Sequence, residues 1–163
     1  MTFCETDEHF EKYAKFMIHN RKEMNLNIKN LISALCNHFS DGKIIIVLNE
    51  HQDVIASAVY FIGTPENNFK DNEIALLDST ILLEEYRTSF IFIKGLKKIT
   101  NDIQQTKGKV KDVRLLVEKN NIYLNRLYGK FAEIQGERDN VLIYSTSLEK
   151  LVNFIKMFEK RIP

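Results

Sequence analysis

Apolar residues recur every three or four positions early in the chain: Phe10, Tyr13, Ala14 and Met17 form one stripe, and Ile28, Leu31, Ile32, Leu35 and Phe39 a second. Both stripes predict amphipathic helices, broken over 20–27. Ser40-Asp41-Gly42 is a turn signal, and Ile44-Ile45-Ile46-Val47-Leu48 is a β-branched run too short for a helix, hence a buried strand. A polar connection at 49–53 leads to a returning strand at 54–62, ended by Gly63 and Pro65. Residues 74–83 read as a third, mostly apolar strand whose polar interruption, Asp78-Ser79-Thr80, is a place for a bulge.

The helical period returns over 87–105, with Phe92, Leu96, Ile99 and Ile103 on one face and Lys97, Lys98, Asn101 and Asp102 on the other. Gly108 is placed to follow that helix. A strand at 110–117, a short helix at 121–130 with Leu124, Leu127 and Tyr128 inward, and a hairpin of 131–136 with 141–145 come next. A last helix, 148–158, carries Leu148, Leu151, Val152, Ile155 and Phe158, with Thr146 and Glu149 spaced as a capping box. No strand is evident before the first helix. This order predicts an α/β fold of the α+β type, a mixed sheet covered by helices. Without a repeat, linker or low-complexity tract, residues 1–163 are expected to form a single domain.

Charge narrows the partners. With 23 Lys+Arg against 22 Asp+Glu the formal charge is +1, so no global field draws the chain to nucleic acid or an anionic membrane. No apolar run approaches the roughly 20 residues of a membrane span, and the N-terminus lacks the basic and apolar regions of a signal peptide, so a cytoplasmic location is expected. Cys4 and Cys36 are far apart, and Cys36 lies on an apolar helix stripe, the place of a small core residue. His9, His19, His38 and His51 have no metal-ligand spacing and read as surface or capping residues; no metal is expected.

The candidate chemistry lies where the third strand launches a helix, because the first N–H groups of a helix have no partner within it and suit an anion. Leu82-Leu83-Glu84-Glu85-Tyr86-Arg87 is followed by Thr88-Ser89-Phe90-Ile91-Phe92. Arg87 adds a fixed positive charge. Together with the order of elements, this segment resembles the GNAT superfamily of acyl-CoA-dependent N-acyltransferases, whose pyrophosphate motif R/QxxGxG/A opens a helix after a segment like V-x-P-E-Y-R. The Glu-Tyr-Arg core is present, while Phe90 and Phe92 stand where the motif has glycine. A second segment, Asn125-Arg126-Leu127-Tyr128-Gly129-Lys130-Phe131, resembles the family's LYxxxGF-like stretch with compressed spacing. The resemblance spans roughly residues 7–145.

The resemblance implies a mostly antiparallel GNAT-like sheet flanked by helices, here with an added C-terminal helix, and acetyl-CoA as cosubstrate. It implies that backbone N–H groups of Thr88, Ser89, Phe90, Ile91 and Phe92 hold the pyrophosphate, aided by Arg87 and the two hydroxyls. A backbone N–H near Leu82 would polarise the thioester carbonyl, and Tyr128 would be the general acid. Glu73, near the start of the third strand, is the first candidate for the general base and Asp78, within that strand, the second, because the family's bases often lie on it. The acceptor would be an amine of a small molecule, peptide or protein, its specificity set by 20–27 and 63–72. The alternative is a non-catalytic binding or assembly module that has lost CoA binding, in which apolar positions on the last helix offer a homodimer contact.

Overall fold

The computed structural model describes residues 1–87, 90–106 and 110–159. Its strands are β1 (Thr2–Phe3), β2 (Lys43–Leu48), β3 (Val54–Ile62), β4 (Ile74–Leu82), β5 (Asp112–Glu118), β6 (Glu133–Arg138) and β7 (Val141–Ser147). The helices are α1 (Asp7–Asn20), α2 (Ile28–Asp41), α3 (Ile91–Gln105), α4 (Ile122–Tyr128) and α5 (Leu148–Glu159). The strands form one sheet in the order β1-β2-β3-β4-β5-β7-β6. Every neighbouring pair is antiparallel except β4 and β5, which α3 connects as a crossover.

Each face of the sheet carries its own core. Tyr13, Phe16 and Met17 of α1 and Leu31 of α2 pack on Ile44, Ile46, Leu76 and Ile81. On the other face Phe92, Leu96, Ile99 and Ile103 of α3 join Leu124 and Tyr128 of α4 and Leu151, Phe154 and Ile155 of α5. The alternating strand pattern therefore feeds two layers at once. Asp139 and Asn140 close the β6–β7 hairpin, both with positive φ, which short polar side chains tolerate.

Several boundaries differ from expectation. β1 is only two residues long and pairs with β2 through Thr2↔Ile46 and Phe3↔Ile45, too short to leave a periodic signal. A 3₁₀ turn at Glu84–Tyr86 follows β4, and α3 starts at Ile91 rather than at the expected Arg87. The last helix is capped one residue later than the capping box implied: Ser147 Oγ accepts the Lys150 N–H at 3.1 Å, while the Thr146 hydroxyl donates to Phe131 O. Cys36 is exposed rather than a core residue, and Ile28 and Ile32 also face outward, because α2 turns Leu31 and His38 to the sheet. Gly108 lies outside the described residues. On α5 Met157 faces outward while Leu151, Phe154 and Ile155 dock inward.

Candidate functional site

β4 and β5 run side by side only from Ile74↔Asp112 to Leu77↔Leu115. Beyond that point Ser79–Leu82 pairs only with β3, and Leu116, Val117 and Glu118 pair only with β7. The two strands thus open a wedge in the middle of the sheet. The register of β4 against β3 also slips here: Val59 faces Ser79 and Tyr60 faces Leu77, leaving Asp78 as the extra residue of a bulge. The bulge inverts the strand's alternation. Ala75 and Leu77 belong to the α3 face and Leu76 to the α1 face, but after the bulge Leu82 belongs to the α3 face and Ile81 to the α1 face.

Asp78 consequently sits at the head of the wedge, its side chain 34% exposed, with one carboxylate oxygen 3.1 Å from His38 Nε2. His38 is 1% exposed, and its Nδ1 lies 2.7 Å from the Tyr13 hydroxyl. A buried chain of three polar groups from α1, α2 and β4 therefore ends at the wedge. Burial, with the Asp78 charge adding to it, pushes the Tyr13 phenol far above its ordinary range, so this hydroxyl stays protonated. His38, expected on the surface or at a cap, is instead buried behind Asp78, a placement that sequence reasoning missed. Its spacing of seven from Leu31 and three from Leu35 places it on the inward stripe of α2 and was the available signal.

Tyr128, in the last turn of α4, is wholly buried among the rings of Phe92, Phe131 and Tyr144. Its hydroxyl donates to Thr80 Oγ1 at 3.2 Å, which carries it across to β4 two residues beyond Asp78. Burial raises its pKa, only partly opposed by the hydrogen bond with Thr80, so the phenol is a proton holder at neutral pH. Glu73 is not brought to this place. It precedes β4 at the opposite end of the strand, 60% exposed and 2.8 Å from Lys111 Nζ.

The far end of the wedge is built by the Leu82–Phe92 segment. Leu83 N–H bonds Ile55 O across to β3, so in the alternating antiparallel ladder the N–H and C=O of Leu82 point the other way, to the open edge. Arg87 Nε donates to that Leu82 carbonyl at 3.1 Å. The guanidinium also lies 5.4 Å from the centre of the Tyr123 ring and 3.6 Å from Glu23, and the Tyr123 hydroxyl donates to Arg87 O at 3.2 Å. Arg87 thus ties the end of β4 to α4. Phe90 is the N-cap residue of α3, makes no side-chain cap and is 39% exposed, while Phe92 turns inward against Tyr128. The Phe92 side chain is therefore directed away from the helix mouth. Thr88 and Ser89 lie outside the described residues.

A cavity of about 200 Å³ fills the wedge, lined on the β4 side by Asp78, Ser79 and Thr80 and on the β5 side by Leu116, Val117 and Glu118. Glu23, Met24 and Leu26 border it from the connection between α1 and α2. Among the described residues no cluster of His, Cys, Asp and Glu has the arrangement to hold a metal, and no helix is long and apolar enough to cross a membrane.

No protein-family model matches the sequence, and no curated protein is significantly similar to it. Solved structures are similar in fold. An acetyltransferase of the GNAT family from Staphylococcus aureus Mu50 superposes with a TM-score of 0.69 at 14% identity, over 90% of this chain and 98% of that one. Tetrahymena GCN5 gives 0.65 at 8% identity, covering 90% of this chain and 94% of its own. The PaiA N-acetyltransferase of Thermoplasma acidophilum, solved in complex with coenzyme A, gives 0.62 at 12% identity, over 90% and 99%. The fold is that of the GNAT acyl-CoA N-acyltransferases, including its mostly antiparallel sheet, with α5 following the last strand.

Proposed function

We propose that this chain is an N-acyltransferase that moves an acetyl group from acetyl-CoA to an amine, with residues 1–163 as one catalytic domain. The observation that carries this reading is the wedge: one sheet opening beyond Leu77 and Leu115, with a bulged carboxylate at its head, the Leu82 N–H facing the open edge farther along β4, and the buried Tyr128 phenol bonded to Thr80 on its β4 wall. Fold alone does not make a reaction, so the residues must fit the donor. Two observations support that fit. After the 3₁₀ turn that follows β4, α3 starts at Ile91 with no side chain capping it, and Phe92 leaves that mouth by packing inward. The N–H groups from Thr88 to Phe92 are assigned to the pyrophosphate, and the Leu82 N–H to the thioester carbonyl.

Asp78 is the general base in this assignment, and Glu73 is left as a partner of Lys111. An acceptor ammonium gives one proton to Asp78, and the freed nitrogen lone pair attacks the thioester carbonyl carbon. The C–S bond breaks as the C–N bond forms; the nitrogen gives its extra proton to solvent, the thiolate takes the Thr80 hydroxyl proton as Thr80 takes that of Tyr128, and the proton held by Asp78 returns through solvent to Tyr128, which restores both groups. The net change is ammonium plus thioester to amide, thiol and one proton released to solvent.

One observation favours the second reading, a GNAT-like module without CoA binding used for binding or assembly. Arg87, the charge expected at the phosphates, is already engaged with Leu82 O, Tyr123 and Glu23. Calorimetric titration with acetyl-CoA and CoA separates the two: binding, weakened by Arg87→Glu, supports the enzyme, and no heat at millimolar ligand overturns it.

A further inference from the structure

The charged side chains around the wedge cavity have one sign. Glu23, Asp78 and Glu118 line it, and among the described residues no Lys or Arg does, although the whole chain holds as many basic as acidic residues to within one. Glu23 is exposed and lies near Arg87, so its charge is partly answered. Asp78 on β4 is held by the His38 ring, and Glu118 on β5 accepts from the neutral Asn140 amide at 3.2 Å. Negative charge thus stands on both walls of the wedge.

A second observation points to a ligand independently. Ser79 is only 5% exposed, its hydroxyl has no hydrogen-bond partner, and it lines this same cavity beside Asp78. A buried hydroxyl without a partner costs free energy unless a ligand or ordered water satisfies it. Apart from His38, Thr80 and Asn121, the rest of the lining is apolar, with Leu26, Leu116, Val117, Leu124 and Val141 among it. Such a surface suits methylene groups.

On the acyl-transfer reading above, we infer that the acceptor is a primary alkylamine carrying a second positive charge. Its reacting nitrogen lies at Asp78 and donates to Ser79 Oγ, its alkyl chain crosses the apolar lining, and its second cation is held toward Glu118. A carboxylate on the acceptor close to the reacting amine is repelled by the same walls. A small diamine or polyamine and a lysine side chain beside a basic residue share this chemistry.

The test uses the full chain with acetyl-CoA and follows thiol release with putrescine, spermidine, butylamine, a peptide with Lys beside Arg, and the same peptide with Glu in place of Arg. Putrescine is expected to exceed butylamine in kcat/KM by about tenfold or more, and Glu118→Gln to reduce that ratio severalfold. Preference for spermidine over the Lys-Arg peptide identifies a free polyamine as the source, and the reverse identifies a protein lysine. Equal turnover of putrescine and butylamine, or of the Arg and Glu peptides, overturns the inference. Calorimetry with spermidine alone reads the cavity apart from turnover. Binding that weakens in Glu118→Gln supports the acidic site even in protein that fails to bind acetyl-CoA, whereas acetyl-CoA binding and turnover without any preference for dications sinks this inference and leaves acyl transfer standing.

Discussion

The His38 imidazole holds the Asp78 carboxylate at 3.1 Å from inside the protein, while the remainder of that carboxylate opens to the wedge. The ring is fixed in turn by the Tyr13 hydroxyl at 2.7 Å, so the position of Asp78 is determined by α1 and α2 as well as by its own bulge. His38→Ala removes a buried ring and leaves two polar groups without their partner, a loss expected to cost about 2–4 kcal/mol of stability in a denaturant titration. Asp78→Asn keeps the shape of the site and is expected to lower kcat/KM about 100-fold with a much smaller shift in unfolding midpoint. Full activity in Asp78→Asn would move the base elsewhere.

Tyr128→Phe separates packing from proton transfer. The ring contacts with Phe92, Phe131 and Tyr144 survive the change, and only the hydrogen bond to Thr80 is lost. Stability should fall by about 1 kcal/mol, while kcat falls roughly 10- to 100-fold with little change in acetyl-CoA affinity. Because burial raises the phenol pKa, the hydroxyl keeps its proton at least to the ordinary tyrosine value of about 10. Wild-type turnover should therefore show no Tyr128-linked decline below that pH. A pH–rate profile in the two proteins checks both statements, and unchanged kcat in Tyr128→Phe removes the residue from the mechanism.

Gly63 ends β3 with φ of 88°, and a Cβ there would come within 2.7 Å of the Phe69 backbone. Both the dihedral and the close approach exclude a side chain. Gly63→Ala is expected to destabilise by roughly 1–3 kcal/mol, lowering Tm by about 3–8 °C in a chain of this size. Thermal melts followed by circular dichroism measure it, and an unchanged Tm would show that the turn relaxes freely.

Much of this arrangement could be read from local pattern. The periods of two and 3.6 located the strands and helices, and the polar break at Asp78-Ser79-Thr80 in an apolar strand marked the bulge at Asp78. The inward turn of Phe92 followed from its spacing to Leu96. What local pattern lacked was contact across the fold. His38 meets Asp78 forty positions away, and nothing near either residue reports the pairing. Arg87 appeared as a free charge because its partners Tyr123 and Glu23 belong to other elements. The cap of α5 shifted to Ser147 for the same reason: the Thr146 hydroxyl is drawn to Phe131 O, a tertiary contact that outcompetes the local one.

The loop between β3 and β4 is organised by one carboxylate and supplies a pH test. Asp71 accepts the Thr64 N–H and the Thr64 hydroxyl, each at 2.6 Å, and the Asn67 amide at 3.0 Å. Burial acts to raise its pKa, but the hydrogen bonds from Thr64 and Asn67 outweigh it and bring the value down to about 2. In the unfolded chain the value is about 3.9. A folded pKa below the unfolded one means the stabilising contribution is complete above about pH 4 and disappears as pH falls toward 2. Asp71→Asn replaces an accepting oxygen with an NH₂ group that cannot satisfy the Thr64 donors, and at pH 7 it should cost about 1 kcal/mol after allowance for solvent screening. Denaturant titrations of the two proteins at neutral pH and near pH 2.5 should show the gap between them narrowing in acid. A gap of constant size would mean that the ionised form of Asp71 contributes nothing to holding the loop.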